Sequence, residues 1–229
     1  MKIDNSPANT QVEETEMVFD SSRRRFFQLA GGIAGAGLLF AACRRTPASA
    51  TYVGVGDTGL LNYLYILKQV TVAFYTQAVA TPYYGISAIE TELQVDLRDQ
   101  EVTHREFFKL LLGKDAVKII TPQLSAVTFA DKKSFLTHAS TLEDLSVAAY
   151  NGVIRVLTNK EYIITLGKMA SVDARHAGYV RNILTHNSFG DGTILDANGL
   201  DRVIAPLPGF NMLEKYIETK FDSSKLPTF

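Results

Sequence analysis

Two short acid-histidine pairs constrain this chain more than any other feature: Glu101-Val102-Thr103-His104 and Asp173-Ala174-Arg175-His176. Each sets a carboxylate and an imidazole three residues apart within an apolar-periodic segment. Residues i and i+3 share one face of a helix, so each pair presents oxygen and nitrogen donors to one point in space. Two such pairs on different helices of a bundle, joined by single carboxylates from the other two, make an inward-facing site for two metal ions.

The segments that carry the pairs are two of four with helical periodicity, spanning roughly 58–80, 86–113, 131–158 and 160–186. The first aligns Leu61, Leu64, Tyr65, Val72 and Tyr75, with Lys68 inside the stripe, and stops before Thr81-Pro82. The second aligns Leu97, Glu101, His104, Phe108 and Leu111 and stops at Gly113. In the third, starting near Thr128 to Asp131, Glu143 is the acid of a row running Leu136, Ser140, Glu143, Val147, Tyr150 and Ile154. The fourth aligns Leu166, Met169, Asp173, His176, Val180 and Leu184. Every segment thus directs a polar group inward. No extended strand alternation accompanies them, so the fold class is all-α. Gly152, Gly167 and Gly178 fall inside helical pattern, where each costs about 1 kcal/mol relative to alanine; close helix contact is the expected compensation.

A single acid-x-x-His is common on solvent-exposed helices and means little alone. Here the motif recurs, and each copy follows a polar core position in the preceding helix by about 30 residues: Lys68 before Glu101, Glu143 before Asp173. Three acids and two histidines in one core demand a cation or a dense hydrogen-bond network, because burying unpaired carboxylates is costly.

The N-terminus reads as an export signal. Ser22-Arg23-Arg24-Arg25-Phe26-Phe27-Gln28 precedes an apolar, small-residue run from Leu29 to Ala42 and resembles a twin-arginine signal. That run is too short to cross a bilayer, for which about 20 residues are needed. The only cysteine, Cys43, follows Phe40-Ala41-Ala42 and resembles the acylated cysteine of a lipobox, with Phe40 in place of the usual leucine. The alternative leaves Cys43 as an ordinary residue beside a signal-peptidase cut. The expected organisation is a signal over 1–42, a lipid-anchor cysteine and linker over 43–57, a bundle over 58–186, and a covering loop with a short amphipathic piece over 187–229. Removal of 1–42 takes the basic residues from 23 and the acidic residues from 24 to 19 of each. This balance argues against a nucleic-acid partner. The membrane, reached through the lipid anchor, is the expected partner, self-association into a homo-oligomer is left open, and the expected location is the periplasm or cell envelope. Asp196, Asn198 and Asp201 lack the distal glutamate of a calcium loop and read as turn residues.

The residues also carry a family likeness. Leu61-Asn62-Tyr63 with Ala73-Phe74-Tyr75, Glu101 to Leu110, Glu143 to Gly152 and Asp173-Ala174-Arg175-His176-Ala177 resemble the four helices of bacterial exported ferritin-like-domain proteins, the desiccation-related branch. The resemblance spans about 57–221. It implies a ferritin-like four-helix bundle with a long crossover between helices 2 and 3, and metal-ligand roles for Glu101, His104, Glu143 and His176. Two positions depart from that pattern. Lys68 stands where the first helix normally offers a glutamate, with Thr71 at the following acidic position, and Asp173 replaces a glutamate one methylene longer.

Glu101, Glu143 and Asp173 with a protonated Lys68 sum to −2, which matches one divalent ion. Three arrangements follow. In the first, Glu101, His104, Glu143, Asp173 and His176 hold one iron or manganese ion, and Lys68 occupies the place of the second cation. In the second, Lys68 and the acids form a metal-free salt-bridge cluster in a non-catalytic bundle serving envelope protection or protein contact. In the third, Lys68 swings to the surface on its long stem. The resemblance implies oxygen or peroxide chemistry if a metal is bound. His138 and His186 are assigned to surface or capping roles, and Tyr65, Tyr75 and Tyr150 to core filling or to support of the site.

Overall fold

The computed structural model describes residues 50–229, so the expected export signal, Cys43 and its lipid anchor lie outside the described residues. Four helices of 25 residues each dominate: α1 (Gly56–Ala80), α2 (Ala88–Leu112), α3 (Lys132–Val156) and α4 (Lys160–Leu184). A shorter α5 (Pro206–Leu213) follows, and two-residue strands β1 (Thr51–Tyr52) and β2 (Phe221–Asp222) pair in parallel. No helix among the described residues is long and apolar enough to cross a membrane.

Side chains set the helix starts. Ser87 and Glu90 form a reciprocal capping box on α2, Asp131 accepts from Ser134 N at 2.6 Å on α3, and Asn159 accepts from Glu161 N at 3.0 Å on α4. Glu90 also receives Lys132 at 2.6 Å, tying the start of α2 to the start of α3. Burial alone would raise the Glu90 carboxyl, yet these hydrogen bonds and the Lys132 ammonium bring it down to about 2. A depressed carboxyl stabilises the fold above its unfolded value and loses that contribution as pH falls toward the folded value. Glu90→Ala is therefore expected to cost about 1 kcal/mol at neutral pH by urea unfolding. The difference from the parent chain should shrink between pH 4.5 and 2; a difference independent of pH would refute the pairing.

The α1–α2 pair and the α3–α4 pair are two hairpins, with α1 packed against both α2 and α3. Between them the chain from Gly113 to Asp131 runs the length of the bundle. Asn62 of α1 accepts from Val117 N and donates to Val53 O and Asp115 O, and two turns further on Gln69 accepts from Ile120 N. The crossover thus advances about 10 Å along α1 and delivers the chain to the opposite end. There Tyr84 N donates to Ala130 O, and α3 starts beside the α1–α2 turn. Helices α2 and α3 consequently run parallel, which is the expected long crossover.

Three expectations need correction. The stripe expected on α1 is instead burial on all sides, unbroken from Gly59 to Val72, because the crossover and the C-terminal segment cover its outer faces. The linker expected up to Asp57 ends earlier: Thr51–Tyr52 is paired to Phe221–Asp222, and the Asp57 carboxylate accepts from Thr158 N and Asn159 N at the α3–α4 turn. The amphipathic piece expected from Asn211 begins at Pro206, whose fixed φ and missing N–H suit the first helical position.

The helix glycines are also explained differently. A Cβ on Gly152 would sit 1.8 Å from Ile204 O, and one on Gly178 would meet the Phe189 ring; Gly167 has nothing within 4 Å. The close approach is therefore between helices and the C-terminal segment, where Ile204 N donates to Ala148 O. Gly152→Ala is expected to cost about 1–3 kcal/mol by urea unfolding, since backbone rather than a flexible side chain must give way. A neutral result would show that the segment does not seat on α3.

Candidate metal centre

The inward polar residues of all four helices meet in the core. Lys68, Glu101, Glu143 and Asp173 are fully buried, His104 is 4% exposed, and the His176 side chain keeps 14% of its surface. The i, i+3 spacing brings each acid-histidine pair to the interior, while α1 and α3 add Lys68 and Glu143.

The cluster has two halves that share Glu101. In one, Glu101, His104 and Asp173 offer donor atoms within 4.8 Å of one another; in the other, Glu101, Glu143 and His176 do the same. The first half already holds a cation. Lys68 Nζ donates to both Glu101 oxygens at 3.1 and 2.9 Å and to Asp173 Oδ2, and lies 3.4 Å from Ser146 Oγ. Burial works against the ammonium, but Asp173 and Glu101 outweigh it and hold Lys68 protonated, well above the ordinary lysine range. The surface position for Lys68 is therefore excluded.

Asp173 reaches this first half with its shorter side chain: Oδ1 lies 3.2 Å from His104 Nδ1. It is not grouped with Glu143 and His176, so Glu101 alone spans both halves. The expectation of five ligands around a single point is corrected accordingly, with His104 and Asp173 on the Lys68 side.

In the second half, His176 Nδ1 lies 3.6 Å from Glu101 Oε1 and 3.7 Å from Glu143 Oε2. These distances exceed a hydrogen bond. They approach the spacing of about 3–3.5 Å between neighbouring donors on a cation with bonds of about 2.1 Å. Glu143 Oε2 and His176 Nδ1 are both buried without a hydrogen-bond partner, so the second half has donors to spare. Burial would lower the His176 imidazole, but Glu101 and Glu143 push it up to about 10. Burial and the Glu101 charge raise the Glu143 carboxyl, and burial raises that of Glu101, which Lys68 and the histidines overcome to leave it depressed. The donor set of two carboxylates and one imidazole suits a divalent first-row metal, and this half of the cluster fits one.

Several supporting residues were not assigned a definite role by the sequence. Tyr75 donates to Glu143 Oε1 at 2.6 Å, Thr71 donates to Glu101 Oε2, and the Tyr150 ring lies 5.4 Å from Lys68 Nζ. Their signal is positional: Thr71 and Tyr75 lie three and seven residues beyond Lys68, and Ser146 and Tyr150 lie three and seven beyond Glu143. Tyr65 is buried core. His138 is half-buried beside Tyr216, with Nδ1 at 2.8 Å from its hydroxyl, and His186 is exposed. Asp196 accepts from Asn198 N and Leu200 N within a turn.

A search of curated proteins finds no match. The family model for the ferritin-like domain matches residues 56–186, more than half of the chain and the whole of the four-helix core that carries the cluster. The chain belongs to the ferritin-like domain family.

Proposed function

We propose that this protein is exported, anchored by lipid at Cys43, and binds one iron or manganese ion between Glu101, Glu143 and His176. Lys68 serves as a fixed cation in the adjoining half. The observation that carries this reading is the contrast between the halves. Lys68 joins Glu101 to Asp173 on one side, while buried Glu143 Oε2 and His176 Nδ1 have no partner on the other.

The chain's own residues hold the ligands in place. Tyr75 fixes Glu143 through Oε1 and leaves Oε2 available, while Thr71 and Lys68 orient Glu101. Because Lys68 fills the adjoining half, Glu101 reaches the metal with much of its charge already balanced. Iron or manganese bound there would supply one-electron chemistry toward oxygen or peroxide. Ligation requires His176 to release its proton, so binding is expected to strengthen with rising pH.

Elemental analysis of protein isolated from the cell envelope should find about one iron or manganese per chain. Metal below a tenth of that amount in protein isolated without chelators would overturn the proposal. Tyr75→Phe tests the support from α1. Losing a partner behind a ligand is expected to weaken metal binding about 10–100-fold. Unchanged affinity in a competition titration would show that Tyr75 does not position Glu143.

The Lys68 contacts also favour a second reading, a metal-free bundle with a structural role in the envelope, since Lys68 and His176 together offset two of the three acids. Chelation separates the two readings. It should lower the melting temperature of a metal protein and leave that of a metal-free bundle unchanged.

A further inference from the structure

Helix α1 gives no carboxylate or imidazole to the centre. It gives three hydrogen-bond donors instead. Lys68 Nζ donates to Glu101 Oε1 and Oε2 at 3.1 and 2.9 Å, Thr71 donates to Glu101 Oε2, and Tyr75 donates to Glu143 Oε1 at 2.6 Å. Both carboxylates of the Glu101, Glu143 and His176 half are thus held from the same helix. Each bond draws electron density from a ligand carboxylate, and a weaker donor set favours the lower charge of a bound ion.

Net charge acts in the same direction. Lys68, Glu101, Glu143 and Asp173 are all fully buried, and with neutral imidazoles they sum to −2. A divalent ion brings the centre to zero. Its loss of one electron would leave +1 inside a core that has no solvent to balance it. Without the ammonium the count reverses, since a divalent ion then leaves −1 and a trivalent ion zero.

The ammonium is also close. Glu101 Oε1 lies 3.1 Å from Lys68 Nζ and 3.6 Å from His176 Nδ1, so one carboxylate oxygen separates Lys68 from the half where the ion is placed. Net charge, hydrogen bonds to the ligands and exclusion of solvent set the potential of a protein-bound metal.

We propose that Lys68 fixes the oxidation state of the centre: its charge raises the potential of the bound ion, so that ferrous iron held by Glu101, Glu143 and His176 stays ferrous in air. The step it disfavours is the passage of one electron from the ferrous ion to dioxygen, which leaves a ferric ion and superoxide. Lys68 acts through Glu101 and is a positioning residue. The inference rests on the single-ion reading above and narrows it, because dioxygen is then excluded as the oxidant and peroxide remains.

The test uses the full chain, stripped of metal and loaded anaerobically with ferrous iron at about half an ion per chain, so that a second ion does not fill the half vacated in Lys68→Met. Bound iron is counted after ultrafiltration. Midpoint potentials are read by redox titration, and oxidation in air by the ferric EPR signal. Lys68→Met is expected to lower the midpoint by at least about 59 mV, a tenfold change in the ferric-to-ferrous ratio at fixed potential, and to speed oxidation in air about tenfold. Asp173→Asn removes a negative charge and keeps an oxygen for Lys68 Nζ, so it should raise the midpoint.

Parent iron that turns ferric in air as fast as unbound ferrous iron in the same buffer would overturn the inference, a comparison that needs no variant. Equal midpoints in the parent and Lys68→Met, or a lowered midpoint in Asp173→Asn, would overturn it as well. Absence of bound ferrous iron in the parent would instead overturn the single-ion reading, and this inference with it.

Discussion

Replacing Lys68 with methionine is expected to destabilise the metal-free protein by about 3–5 kcal/mol, among the largest effects of any single substitution in this chain. The reason lies in what the change leaves behind. Methionine fills much of the volume of the lysine stem, so the cost is not a cavity. It is the loss of the ammonium from between Glu101 and Asp173, both fully buried and both bound to Nζ. Each would then keep its charge unpaired or take up a proton. Urea unfolding of metal-free Lys68→Met at neutral pH is the measurement, and a loss below about 1 kcal/mol would show that Lys68 is not what compensates the two acids. Added divalent metal should recover more stability in the variant than in the parent, because the vacated half then has room for a cation.

How much of this was legible in the sequence depended on the range of the interaction. Helix limits follow from local chemistry. Pro82 and Gly113 close the first two helices, while Ser87, Asp131 and Asn159 start the last three, and all act within a few residues. The inward faces of α2, α3 and α4 follow from the 3.6-residue period, which places Glu101, Glu143 and Asp173 in the core without knowledge of any neighbour.

Period does not say which neighbour a side chain meets. His104 and His176 are equivalent in the pattern, yet one faces Asp173 and the other lies between Glu101 and Glu143, a division that only the assembled bundle reveals. The burial of α1 on every side was hidden for a similar reason. It depends on a crossover and a C-terminal segment far away in sequence, and only Asn62 and Gln69, polar residues in an apolar helix, mark where the crossover would attach.

Lys68→Glu is expected to raise metal content from about one to about two ions per chain. The geometry of the first half supports this. Glu101, His104 and Asp173 already converge there, His104 Nδ1 facing Asp173 Oδ1 at 3.2 Å, and Lys68 is the cation that stands among them. Removing the ammonium and adding a carboxylate changes the charge of that half by two units, which one divalent ion restores. A carboxylate at 68 would be the fourth donor, after Glu101, His104 and Asp173. Glutamate is shorter than lysine, but the metal would need to come only to where Nζ now sits, within hydrogen-bond reach of both acids. Without metal the variant should be less stable than Lys68→Met, because four acids would then share one core. Elemental analysis after loading with manganese gives the result directly. A ratio that stays at one would mean that Lys68 does not stand in a metal's place, and that the half it occupies was never a second site in this chain.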